Sequence, residues 1–163
     1  MLKKLVKDRD DMEITIITDH ARSYYSGMLP GSVSTLYKDE QIMVHIEPIA
    51  VWSHATYIQQ PVVRIEGNKN RVHLANGQMV EYDVLCVNVG SRTKAGSEVP
   101  GVWDHSLTTR PINDLLPKIV AKENSLKEKG IVPSVVVCGG GAAGTELSMA
   151  FKARWAKFFG EEI

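Results

Sequence analysis

The spacing of apolar positions changes repeatedly along this chain, and each change predicts an element. Leu2, Leu5 and Val6 stand at helical spacing, and a charged stretch to Asp11 leads into Glu13–Thr18, whose β-branched residues predict a strand. A helix end followed by a strand is the second half of a βαβ unit. Its first strand and glycine turn would lie upstream of Met1. Residues 20–37 have no clean period, and Pro30-Gly31 marks them as a loop. Pro48 suits the first turn of a short helix running through Trp52 and Ala55.

From Tyr57 to Gly90 the period shortens. Pro61–Glu66, Arg71–Leu74 and Met79–Glu81 read as strands, separated by Gly67-Asn68-Lys69-Asn70 and by Ala75-Asn76-Gly77. Asn-Gly is a strong hairpin signal, since both residues tolerate the left-handed backbone of a tight turn. Asp83–Val89 is almost continuously apolar and predicts a strand buried on both faces. Gly96, Pro100, Gly101 and Pro111 mark 91–111 as a connection. Asn113 is placed to cap a helix carrying Leu115, Leu116, Ile119, Val120 and Leu126, with Pro117 near its first turn and Gly130 as its stop. Val135–Cys138 predicts a buried strand that runs through glycines into a last helix. Leu147, Ala150, Phe151, Arg154, Trp155, Phe158 and Phe159 mark one face of that helix. The order of elements predicts an α/β fold with parallel strands and a small antiparallel β-meander.

Composition narrows the setting. The chain has 163 residues, 44% hydrophobic and 23% charged, with no formal net charge. No long-range field therefore draws it to nucleic acid or acidic lipid. Its apolar runs are too short for a membrane span, and MLKKLVKDRDDM lacks the apolar core of a secretory leader. Cys86 and Cys138 lie in apolar runs and read as small buried hydrophobes, which fits a reducing, cytoplasmic or organellar setting. The histidines show no metal-ligand spacing.

The chemistry concentrates at Gly139-Gly140-Gly141-Ala142-Ala143-Gly144. Gly139, Gly141 and Gly144 have G-x-G-x-x-G spacing between a predicted strand and a predicted helix. The first glycine allows the tight turn, the second close approach of a pyrophosphate, and the third close packing of helix on strand. Free N–H groups at the helix start, aided by the macrodipole, would face the phosphates. Glu146 follows in the first turn, where a carboxylate is either part of the site or a dipole-favoured surface charge. Asp19, just after the Glu13–Thr18 strand, is either a ribose ligand or a turn aspartate. Tyr24-Tyr25-Ser26-Gly27-Met28-Leu29-Pro30-Gly31 is apolar and aromatic, and a lid, an interface and a cofactor-facing wall are all open to it.

With these residues in view, the chain resembles the pyridine nucleotide–disulfide oxidoreductases, flavoproteins with two dinucleotide-binding domains of Rossmann-like fold. Within them it is most similar to the NADH-dehydrogenase-like branch related to type II NADH dehydrogenases. YSGMLPG (Tyr25–Gly31) is similar to a segment of the members found alone or fused to selenide, water dikinase. YDVLCVNVGS (Tyr82–Ser91) resembles the closing strand of the FAD domain, with VPG (Val99–Gly101) after it. VVVCGGGAAGTE (Val135–Glu146) resembles the NAD(P)H fingerprint.

The resemblance implies that residues 1–95 are part of an FAD-binding domain, 96–111 a connection and 112–163 the start of an NAD(P)H-binding domain. The glycine turn would hold NAD(P)H, and Glu146 would lie near the nicotinamide as the catalytic-site residue. Gly90 and Ser91 would lie near FAD, and Met28, Leu29 and Pro30 would flank its ring. That loop carries no cysteine pair, so hydride would pass from NAD(P)H to flavin and electrons onward to a small acceptor such as a quinone. The first fingerprint is absent, and the usual ribose-binding acid aligns with Thr18, one place before Asp19. On this resemblance both cofactor sites would be incomplete. The alternative is a cofactor-free remnant, an NAD(P)H-binding or interaction module that self-associates through exposed sheet edges.

Overall fold

A computed structural model describes residues 11–93 and 99–160. The helical spacing at Leu2, Leu5 and Val6, and Gly96, lie outside them. The chain forms two compact units. One contains the described residues up to Ser23 with Val44–Val89, and the other contains Tyr24–Met43 with the described residues from Gly90 onward.

In the first unit, β1 (Thr15–Thr18) pairs in parallel with β4 (Thr56–Gln59), with Ile16 opposite Tyr57 and Ile17 opposite Ile58. The run of β-branched residues thus finds the parallel partner expected of an α/β fold. The chain leaves this unit along β2 (Arg22–Tyr24) and returns along β3 (Met43–His45), two strands paired with each other. The helix α3 (Ile46–Trp52) then carries Pro48 in its first turn and precedes β4.

The meander is built as its turn residues dictate. β5 (Val62–Glu66), β6 (Arg71–Leu74) and β7 (Met79–Glu81) form a three-stranded antiparallel sheet. Asn70 and Gly77 take left-handed φ angles of 51° and 84° at the two turns, where Asn and Gly are least strained. The Asn76 side chain accepts a 3.0 Å hydrogen bond from the Gln78 amide and closes the second turn. Val72 and Leu74 alternate inward along β6 and are buried.

The second unit is helical. After a 3-10 turn at Ser26–Met28 comes α1 (Leu29–Val33), then α2 (Asp39–Ile42), α4 (Val102–His105), α5 (Ile112–Glu128) and α6 (Ala142–Phe159). The loop expected over residues 20–37 therefore contains β2 and α1. Pro30 sits in the first turn of α1, where its missing N–H costs nothing. Leu29, Val33 and Ile42 join Leu115, Leu116 and Ile119 of α5 and Leu147, Ala150, Phe151 and Trp155 of α6 in one core. Burial of Leu29 and Val33 against long helices stabilises α1, whose own propensity is weak.

Three expectations need correction. Asp83–Val89 and Val135–Cys138 have no sheet pairing. No described strand lies alongside either, so Val84 is 88% and Val136 84% exposed. For the same reason Cys86 and Cys138 are exposed rather than buried. Finally, α5 is capped at Pro111, and Asn113 falls within its first turn. Pro117 lies inside α5 and leaves the Asn113 carbonyl without its helical donor. Gly130, at φ 63°, does end the helix, and the Ile131 amide bonds back to the Leu126 carbonyl.

Candidate functional site

The glycine turn opens α6. From Pro133 to Cys138 half-buried and exposed residues alternate, with Val135 and Val137 on the covered side. Gly139 follows at φ 121°, a conformation L side chains rarely adopt, and Gly141 is the N-cap of α6 without any side-chain cap. A β-carbon on Gly144 would overlap the carbonyl oxygen of Gly139 and lie 3.8 Å from the Val137 side chain. The third glycine thus has a physical cause: it lets the helix pack against the turn that launches it.

The amides of Ala142, Ala143 and Gly144 have no intrahelical acceptor because they occupy the first turn. A β-carbon at Gly140 or Gly141 would meet nothing within 4 Å. A row of free donors therefore borders open space at the positive end of an 18-residue helix. An anionic diphosphate fits this donor set, and any side chain at the turn would encroach on it. Glu146 stands exposed one turn further along α6.

The other candidate residues divide between the units. Asp19 belongs to the first, exposed at the end of β1, with His20 Nε2 3.8 Å from its carboxylate. The remainder belong to the second. Leu29 is consumed by the core, and Met28 packs against it half-buried, with Pro30 also half-buried. Gly90, at φ 70°, and Ser91 are both exposed. The residue after them, Arg92, lies 5.0 Å from the centroid of the Trp103 ring, a cation–π contact that anchors this stretch. The second unit therefore brings the Met28–Pro30 segment onto the helix that the glycine turn begins, through the packing of α1 on α6.

Sequence reading missed the polar centre of this unit. Glu123 is 1% exposed. Its carboxylate accepts from Arg154 Nε at 2.5 Å, from Arg154 Nη2 at 2.8 Å and from Trp155 Nε1 at 2.7 Å. Arg154 Nη1 also donates to the Val33 carbonyl at 3.3 Å. The signal was present, because Glu123 continues the Leu116–Ile119 stripe of α5 just as Arg154 interrupts the apolar face of α6. Opposite charges on two facing apolar stripes imply a buried pair.

A shallow, open cleft of about 380 Å³ lies in the first unit, lined by Lys69, Asn70, Glu81, Tyr82 and Asp83. It is polar and carries none of the glycine-turn chemistry. Among the described residues no cluster of His, Cys, Asp and Glu could hold a metal ion, and no helix is long and apolar enough to cross a membrane.

The model of the pyridine nucleotide-disulphide oxidoreductase family matches residues 2–161. The chain belongs to that family. It is similar in structure to the sulfide:quinone oxidoreductase from the hyperthermophilic bacterium Aquifex aeolicus, with a TM-score of 0.66 and 19% sequence identity. That likeness is one of fold. It takes in 98% of this chain and 37% of the other. No curated protein matches the chain in sequence.

Proposed function

We propose that this chain is the dinucleotide-gripping portion of an FAD-dependent NAD(P)H oxidoreductase of the NADH-dehydrogenase-like branch, with a small acceptor such as a quinone receiving the electrons. Residues 1–95 would contribute to the FAD domain and 112–163 would open the NAD(P)H domain. The observation that carries the reading is the approach of Gly144 to Gly139 at the start of α6, which leaves the turn amides free beside open space.

The amides of Gly140 to Gly144 would hold the pyrophosphate. Their donors are fixed before binding, so little ordering opposes association. Glu146, exposed beyond them, would border the nicotinamide end and bias its orientation by charge. Met28 and Pro30, held by α1, would wall the flavin ring and exclude water, with Gly90 and Ser91 contributing to the same cofactor. Bound flavin and nicotinamide supply the hydride chemistry, and the protein supplies alignment.

Calorimetric titration with NADH and NADPH tests the reading. Saturable binding that is lost in Gly144→Ala supports it, and no heat with either nucleotide overturns it. Absorbance after mixing with FAD tests the flavin half, since a yellow protein bleached by NADH is the expected result.

A second reading rests on the unpaired apolar runs. Val84, Val89 and Val136 are more than four-fifths exposed, at 88%, 85% and 84%. Unpaired backbone beside apolar side chains suits an interaction module that self-associates by strand pairing. Light scattering separates the two readings. A colourless, nucleotide-free protein that forms discrete oligomers supports the second.

A further inference from the structure

We infer that Arg154 is a positioning residue: through the carbonyl of Val33 it fixes where the Met28–Pro30 segment stands relative to the glycine turn that begins the same helix. Its guanidinium is shared between two tasks. Nε and Nη2 grip both carboxylate oxygens of Glu123, and Nη1 donates to Val33, the last residue of α1. Glu123 is anchored independently by Trp155, so the guanidinium has a rigid base from which to hold α1.

The loop after α1 carries a second sign of being held. Thr35 has φ 66°, a left-handed conformation that β-branched residues rarely adopt. Such strain persists only where the surroundings enforce it. Here the amides of Ser34, Thr35 and Leu36 bond back to the carbonyls of Pro30, Ser32 and Gly31, and Lys157 Nζ of α6 donates to Thr35 Oγ1 at 3.3 Å. Arg154 thus fastens the C-terminal end of a five-residue helix that could not persist alone, with Lys157 adding only an exposed, weak contact. The role given to the segment rests on the flavin reading above, whereas the strap itself does not.

Amide hydrogen exchange with Arg154→Lys, and with Arg154→Met combined with Glu123→Leu, tests the inference. A lysine keeps a cation for Glu123 but cannot grip two carboxylate oxygens and reach Val33 together. The double variant replaces the pair by apolar groups, so the unit stays folded. In both, the Ser34, Thr35 and Leu36 amides should exchange at least tenfold faster, while mid-helix amides of α6 keep their wild-type protection. The methyl resonance of Met28 should move while that of Met149 stays. Unchanged exchange at 34–36 overturns the inference, and so does equal acceleration throughout α6, which would make the pair a general brace. NADH titration of the wild type is read separately. Its failure removes the dinucleotide reading, while the exchange result still decides the strap.

Discussion

Gly144 packs beneath the carbonyl of Gly139, so that a β-carbon on the first would press on the carbonyl carbon of the second at 2.9 Å. The contact is backbone on backbone, and no side-chain rotation can relieve it. Gly144→Ala should therefore cost about 1–3 kcal/mol in urea unfolding, the range for overpacking a tight site. NADH affinity should fall at least tenfold, because the helix start must move. Gly140→Ala provides the contrast. Its β-carbon would meet open space, so stability should change by less than about 1 kcal/mol, while a nucleotide lying on the turn would still be obstructed. Normal NADH binding by both variants would remove the turn from the site.

Glu123 and Arg154 form the costliest pair to break. Arg154→Met alone leaves a carboxylate that is 1% exposed facing apolar neighbours, and should destabilise by about 3–5 kcal/mol. Combined with Glu123→Leu the loss should shrink to about 1–3 kcal/mol, since both charge-desolvation costs disappear while the buried Trp155 indole N–H loses its acceptor. Trp155→Phe removes one 2.7 Å donor from the same carboxylate and should cost about 1–2 kcal/mol. A denaturation double-mutant cycle measures the coupling. Additive single effects would mean that the two side chains do not interact.

Thr35 offers a gain. Asparagine tolerates the left-handed region far better than threonine, and the contact with Lys157 is exposed and weak. Thr35→Asn should raise stability by about 1 kcal/mol. A lowered melting temperature would show that the hydroxyl matters more than the backbone.

Local chemistry made much of this legible in advance. The meander appeared at its expected positions because Asn70 and the Asn76-Gly77 turn set the register within a few residues. The glycine turn and Gly130 were equally local signals. Partners distant in sequence were not legible. Asp83–Val89 and Val135–Cys138 have strand composition, yet composition does not supply a neighbouring strand, and without one Val84, Val89, Val136 and both cysteines stay exposed. Residues 20–37 read as irregular because the order of Leu29 and Val33 comes from α5 and α6, far along the chain. The Glu123–Arg154 pair was half-legible, since each charge interrupts an apolar stripe but only the fold sets them opposite.

Glu66 ties the meander to pH. Its carboxylate lies 2.9 Å from Lys69 Nζ, 3.2 Å from His73 Nε2 and 3.9 Å from Arg64 Nη2. Hydrogen bonds from Lys69 and then from His73 hold its carboxyl below the ordinary value of 4.5, with the charges of Lys69 and Arg64 adding to them. A carboxylate favoured in the folded state binds its proton less readily there than in the unfolded chain. Its stabilisation is therefore complete above the ordinary value and fades as pH falls through the lowered one. Glu66→Gln removes the charge at every pH. The stability difference between wild type and Glu66→Gln should thus be constant near neutrality and shrink as pH drops below about 4.5. Melting curves of both proteins from about pH 7 to about pH 3 read this difference while cancelling the other carboxylates. A difference that stays the same across that range would mean that Lys69 and His73 contribute nothing through the charge of Glu66.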